Sequence, residues 1–508
     1  MGVMRVGLSI AVSSAMMWLS QPPLGLWWIG PLAVTPWLST ISRGGILTGA
    51  VSGLLFGTLS GGLVASWVYE GVRSIGGSHA AAFGGLTLVA LFSAGLAWAV
   101  FGMVAALASR WSAGWWVGSC TVAAVVVDAL RSAGVLGVPW SLLGHSQFEV
   151  TGVAQLAVLG GVPVISGLLM AIGASMAVAF RRPVQAPCRV LVACSAAAYV
   201  GLALFGAKVA ESSWPHGPSA ERFDLLAIQP NVPAGDRWEP LAQGNTLDSA
   251  IALTEAEIGS ASPDLVVWPE TMLTTPLEEA PGLRAHLQRA IDTFGVPIVL
   301  GAVGMSRSAD PSLYRNSALR VAPVAGTIAS VDKTHAIPVA EAGGGLWSAP
   351  AILDLAGLSG VTRRVELGRE QKPLEGSPEL ALVFCYEVVF PHLVRQRRTS
   401  ESVAIVQIAN DTWFASESVS RQLLAYGSFR AIEQRLPLLR VAQGGGSALV
   451  DPLGRVVETL PFDATGSILA EVGARPTPSL EERAALALLG VGSGIAPLLA
   501  AAAWRVAS

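Results

Sequence analysis

Charge is scarce in this 508-residue chain: Asp, Glu, Lys and Arg together make up 13% of it, against roughly 25% in an ordinary soluble domain. The shortage is uneven. Before residue 210 the only acidic side chains are Glu70, Asp128 and Glu149. Lysine is rarer still. Only Lys208, Lys333 and Lys372 are present, and the remaining 29 of the 32 basic residues are arginine. With a net charge of −3 and no basic stripe, nothing points to a nucleic-acid partner. Cysteine is limited to Cys120, Cys188, Cys194 and Cys385, with no CxxC pair, and the six histidines are scattered. That pattern argues against a disulfide framework and a structural metal. Neither a metal nor a cofactor is expected.

What the chain has instead is apolar surface. Hydrophobic residues make up 52% of it and the mean hydropathy is +0.55. Runs long enough to cross about 30 Å of hydrocarbon lie near 6–20, 24–40, 45–69, 83–109, 114–136, 152–180 and 189–209, and another near 484–504. The first could serve as a signal peptide's apolar core. No small-x-small cleavage site follows it, however, and Gln21-Pro22-Pro23 reads as a turn into the next span. The pattern predicts a transmembrane bundle of seven helices over 1–210, a soluble domain over 211–483, and a C-terminal transmembrane helix with a short cytoplasmic tail over 484–508. Arginines sort across this topology. With the N-terminus in the cytoplasm, Arg5, Arg43, Arg110, Arg181, Arg182, Arg189 and Arg505 fall inside, whereas only Arg73 clearly falls outside, with Arg131 near an outer helix end. The positive-inside rule then places 211–483 on the outer face of a polytopic membrane protein. The loop from Val138 to Gln147 sets Trp140 among polar residues at an outer helix exit. It reads equally as an interfacial anchor or as a substrate-facing surface.

The soluble half alternates strands and helices. Apolar strands are expected at 223–230, 264–268, 297–303, 316–321, 327–333, 381–384 and 403–408. Helices are expected at 241–260 and 282–294, with a hairpin over 447–459 turning at Pro452-Leu453-Gly454. That alternation implies an α/β layered domain, whose ligand sites gather at strand carboxyl ends. Glu270, Lys333, Cys385 and Asn410 all occupy such ends. Cys385 is the only cysteine of this half, at an expected strand-to-helix elbow that would favour thiolate and offer backbone N–H groups to an oxyanion. Taken alone it reads more often as a buried strand-end thiol. Lys333 is a compact ammonium in a chain that otherwise chooses arginine. A carboxylate delivered by the apolar strand before Glu270 is partly desolvated, which raises its pKa toward a general base's range.

The segments Val267-Trp268-Pro269-Glu270, Asp332-Lys333-Thr334-His335-Ala336-Ile337-Pro338 with Glu341, Phe384-Cys385-Tyr386-Glu387 and Asn410-Asp411-Thr412-Trp413-Phe414 resemble those of the nitrilase (carbon–nitrogen hydrolase) superfamily. With the helices before and after the domain, and the segment 430–440, they resemble more closely the apolipoprotein N-acyltransferase family. The resemblance implies an αββα sandwich and a Glu270–Lys333–Cys385 catalytic set. Supporting roles would fall to Glu341 and Glu387, and lid or portal roles to Trp238, Tyr386 and Trp140. It implies a monomeric enzyme of the bacterial inner membrane. Such an enzyme moves a fatty acyl chain from a phospholipid, through a cysteine thioester with ping-pong kinetics, to the N-terminal amine of a diacylglyceryl apolipoprotein. Departures lie at 339–344, at Ala415, and at Gln443-Gly444-Gly445-Gly446 where the family usually has Asn-Asn-Gly. They touch loop conformation and substrate preference more than the chemistry. Two other readings stay open on the sequence: a membrane-anchored amidase or nitrilase acting on a small amide, and a transporter or scaffold with an inert nitrilase-like domain.

Overall fold

A computed structural model of the chain describes residues 2–41, 45–74, 76–135, 137–181, most of 192–204, 222–232, 242–308, 313–337, 341–342, 363–414 and 416–473. Two compact units emerge among them, one from Met1–Ser66 and Leu86–Ser213, the other from Trp67–Gly85 and Trp214–Pro476.

The first unit is helical. Among the described residues five helices are long and apolar enough to cross a membrane: Val3–Ser20, Ile46–Val64, His79–Ala108, Ala113–Ser132 and Val162–Phe180. The run at 24–40 differs from expectation. It forms a 3-10 helix, Trp27–Leu32, and a one-turn helix, Thr35–Leu38, because Pro31 and Pro36 remove two backbone donors within six residues. Likewise 152–180 opens with two one-turn helices before the long one begins at Val162. The runs at 484–504 and at most of 189–209 lie outside the described residues. Gly49, Gly53, Gly57 and Gly61 recur every fourth residue along one buried face of Ile46–Val64. A methyl group at Gly53 would collide with the Trp98 carbonyl, so this stripe lets two apolar helices pack backbone to backbone without a hydrophobic driving force. Asp128, the exceptional acid of the spans, pairs with Arg131 at 3.1 Å, both side chains buried. Arg131 also donates to the Trp140 carbonyl.

The second unit is a sandwich of two sheets. Its strands are β1 (Phe223–Gln229), β2 (Leu265–Val267), β3 (Ile298–Met305), β4 (Tyr314–Ala322), β5 (Gly326–Asp332), β6 (Glu341–Ala342), β7 (Arg363–Glu366), β8 (Glu379–Phe384), β9 (Ser402–Asn410), β10 (Leu438–Gln443), β11 (Ala448–Val450), β12 (Val456–Thr459) and β13 (Gly466–Val472). The first sheet runs β13-β1-β2-β3-β4-β7-β6 with β5 on β4, and the second runs β12-β11-β10-β9-β8. Leu225, Val267 and Val299 of the first sheet meet Leu382, Ile408 and Leu439 of the second in one buried core. Outside the first sheet, helices α1 (Ala242–Ala261) and α2 (Pro281–Phe294) bury Leu247, Leu287 and Ile291 against Ile228, Val266 and Ile298. Outside the second, α3 (Pro391–Gln396) and α4 (Glu417–Gln434) pack on β8, β10 and β11. The layers are therefore α, β, β, α.

Topology decides where the chemistry gathers. β1, β2 and β3 are parallel, β4 reverses and β5 reverses again, so the chain leaves β2 and β5 at the same edge. β8, β9 and β10 are mutually parallel as well.

Candidate active site

Glu270, Lys333 and Cys385 leave β2, β5 and β8 respectively, and their exposures are 3%, 1% and 1%. The loop carrying Glu270 lies against β3. Gly301 donates to the Pro269 carbonyl at 3.1 Å, and Met272 donates to the Gly301 carbonyl at 2.9 Å. A Cβ on Gly301 would stand 2.5 Å from Glu270 Cα and 2.6 Å from the Thr271 nitrogen, so only glycine allows this approach. Glu270 Oε1 accepts from Asn316 Nδ2 at 2.7 Å and from Lys333 Nζ at 3.2 Å. The same ammonium donates to Glu341 Oε1 at 3.0 Å, and the other oxygen of Glu341 accepts from the Ile337 N–H at 2.9 Å. Glu341 thus fixes both the lysine and the loop that follows it.

Cys385 opens a five-residue 3-10 turn, Cys385–Val389, with φ at +36°. Its carbonyl accepts from Gln407 Nε2 at 2.9 Å. Glu387 closes the turn: its Oε2 accepts from the Phe384 N–H at 3.0 Å. Its Oε1 accepts from the N–H and hydroxyl of Thr334, at 2.7 and 2.9 Å, and from the His335 N–H at 3.1 Å. One buried carboxylate therefore ties the residue before the cysteine to the residue after the lysine. Arg397 completes the clamp, bonding Glu387 at 3.2 Å, the Leu382 carbonyl at 2.8 Å and the Asp332 carbonyl at 3.1 Å. Burial would raise the Glu387 pKa, but the Arg397 charge and the backbone donors outweigh it and hold the carboxyl below its ordinary range.

The protonation states differ from the sequence expectation at the thiol. Burial, reinforced by the charges of Glu270 and Asp411 against those of Lys333 and Arg440, pushes Cys385 well up. That direction favours a neutral thiol over a thiolate, burial weighing most and the two carboxylates adding to it. Glu270 is raised as well, by burial first, with Lys333 opposing. Burial would lower Lys333, yet the Glu270 and Glu341 carboxylates more than reverse that and keep it an ammonium. The arrangement is a proton acceptor and a fixed cation beside a thiol that must surrender its proton during attack.

The other sequence candidates are placed as follows. Tyr386 follows the cysteine, buried, with its ring 5.4 Å from that of Phe390. Trp140 is buried within the helical unit, and Trp238 lies outside the described residues. Asn410 ends β9 and donates to Thr271 Oγ1 at 2.6 Å. Asn316, Arg397 and Gln407 were not singled out from sequence. Asn316 and Gln407 sit inside strands and Arg397 in the turn that ends α3, none with a motif of its own, and only pairing in three dimensions reveals them. Among the described residues no group of three or more His, Cys, Asp or Glu side chains gathers as a metal site would need.

Two family models match the chain: the apolipoprotein N-acyltransferase N-terminal domain over residues 13–175 and the carbon–nitrogen hydrolase domain over residues 227–476. The second span contains Glu270, Lys333 and Cys385. A protein of Brucella melitensis biotype 1 named apolipoprotein N-acyltransferase is 29% identical over 373 residues, covering 68% of this chain and 64% of that protein. One of the same name from Geobacter metallireducens is 26% identical over 344 residues, covering 66% and 64%. The match thus spans somewhat less than two thirds of these relatives' length. Among solved structures, an amidase from Nesterenkonia sp. is similar with a TM-score of 0.37 and 18% identity, over 52% of this chain and 94% of that one. The chain therefore carries an apolipoprotein N-acyltransferase N-terminal domain followed by a carbon–nitrogen hydrolase domain, and is similar to proteins named apolipoprotein N-acyltransferase.

Proposed function

We propose that this protein is a membrane acyltransferase, moving a fatty acyl chain from a phospholipid to the N-terminal amine of a diacylglyceryl apolipoprotein. The observation that carries the reading is the buried contact of Lys333 with Glu270, 3.2 Å long, in the site where Cys385 is held neutral. As Cys385 Sγ attacks the sn-1 ester carbonyl, its proton passes to Glu270. The oxyanion that forms accepts from the Lys333 ammonium, two of whose three N–H bonds are committed to carboxylates, and from the backbone N–H beside Cys385. One such donor typically contributes about 3–4 kcal/mol. Collapse expels the glycerol oxygen, which takes the proton back from Glu270, and lysophospholipid leaves a thioester behind. The apolipoprotein amine then attacks that thioester. Glu270 accepts the amine proton and returns it to the departing sulfur, regenerating thiol and releasing an amide. Glu341 and Glu387 act by holding Lys333 and the Cys385 turn.

The five apolar helices support a membrane location. The arginine asymmetry supports the inner membrane with the hydrolase domain on its outer face, where both lipid substrates are delivered. Trp140, Trp238 and Tyr386 are assigned to the surfaces that admit them, and the enzyme is taken to act as a monomer. The test is radiolabelled palmitate incorporation from phospholipid. Wild type should carry label that hydroxylamine releases, and Cys385→Ser should carry none. Hydroxylamine-sensitive label on Cys385→Ser would falsify the assignment.

A further inference from the structure

A buried ion pair stands beside Cys385 that the transfer chemistry does not use. Asp411 begins the turn after β9 and is fully buried. Its Oδ1 lies 4.0 Å from Cys385 Sγ, within reach of a sulfur donor. Its Oδ2 is paired with Arg440 of β10, whose guanidinium also donates to Ser420 Oγ at 3.2 Å. Arg440 is itself fully buried and stands in register with Gln407, the residue that bonds the Cys385 carbonyl. The chain leaves space for this carboxylate: a Cβ on Gly445 would overlap the Asp411 side chain. Leu439 and Val441, the neighbours of Arg440 on β10, face the core between the sheets, so Arg440 is turned to the opposite face, toward Asp411 and Ser420. Burying two charges costs desolvation that well-packed apolar residues would avoid.

We infer that the Asp411–Arg440 pair is a positioning device for Cys385, in which Asp411 Oδ1 orients the thiol hydrogen and the two opposed charges set how readily that hydrogen leaves. The charged groups facing the sulfur are Glu270, Asp411, Lys333 and Arg440. Glu270 and Lys333 take part in the chemistry. Asp411 disfavours a thiolate at this position and Arg440 favours one, which supports the same reading. The resting nucleophile stays neutral until a substrate carbonyl and Glu270 are both in place, and a neutral thiol is the form least prone to oxidation.

The inference rests on Cys385 being the nucleophile, but its test needs no lipid. In the full-length protein in detergent, iodoacetamide alkylation of Cys385 is followed by peptide mass from about pH 7 to about pH 10, across the ordinary thiol range. Asp411→Asn removes the repelling charge, so alkylation at fixed pH should rise at least about tenfold, as expected for a neighbouring charge worth about one pKa unit or more. Arg440→Gln removes the attracting charge and should lower the rate by a similar factor. A purely structural role would not give opposite signs. Rates in either folded variant within about twofold of the parent would overturn the inference. Should Asp411→Asn fail to fold, with Arg440 left buried alone, Arg440→Gln decides the question by itself.

Discussion

Lys333 is one of three lysines in the chain, and its surroundings explain why arginine does not replace it. Its nitrogen lies between Glu270 and Glu341, 3.2 and 3.0 Å away, in a position 1% exposed. A guanidinium is planar and larger, and it would turn its fork toward the two carboxylates and away from an oxyanion. Lys333→Arg should therefore fold, but lose acyl transfer by about 10²–10³-fold, the usual cost of one oxyanion donor. Steady-state transfer to a diacylated lipopeptide measures this, and near-normal turnover would remove the lysine from the mechanism. Residues of this kind were legible in sequence because each ends an apolar strand. Asn316 and Asp411 were not given roles, since their meaning lies in partners 46 and 26 positions away. The environment of the thiol was not legible for the same reason: burial, and then the Glu270 and Asp411 carboxylates that reach it from other strands, push its pKa up.

At the level of elements, the strands β2, β8 and β9 and the helices α1 and α2 outside the first sheet were legible as runs bounded by turn residues, and the hairpin of β11 and β12 was legible from Pro452-Leu453-Gly454. β13 was not, because its identity as a strand comes from antiparallel pairing with β1 more than 200 residues away. Nor was α4, which is buried on nearly every side and so lacks the one-sided apolar stripe of a surface helix. The broken helices at 27–38 show the converse, an apolar run whose prolines outweigh its hydropathy. The contact between β3 and the Glu270 loop is the most exposed to substitution. Gly301→Ala sets a methyl group against backbone that cannot rotate aside, so the loop must shift. We expect about 1–3 kcal/mol of destabilisation, and a loss of transfer approaching about 100-fold from misplacing Glu270. Thermal unfolding and turnover, measured on the same preparation, check both. A variant with wild-type kcat would show that the loop's position is not fixed by this contact.

For the whole molecule, the proposed function accounts for the joining of apolar helices to a hydrolase sandwich, since its substrates would stay in the bilayer. Drawing an acyl chain into water costs about 0.8 kcal/mol per CH₂, so the nucleophile must be brought to the lipid. A thioester formed there must also be kept from water, or the enzyme becomes a phospholipase. The near-complete burial of Glu270, Lys333 and Cys385 fits that requirement. The central claim is that Cys385 carries an acyl group between two lipid substrates. Intact-mass analysis of the protein, incubated first with phospholipid and then with a diacylated lipopeptide, tests it most directly. The account predicts a gain of one acyl mass, mapped to the peptide containing Cys385, followed by its loss as the lipopeptide gains the same mass on its amine. An unmodified protein after the first incubation, or an acyl group released only to water in the second, would contradict it.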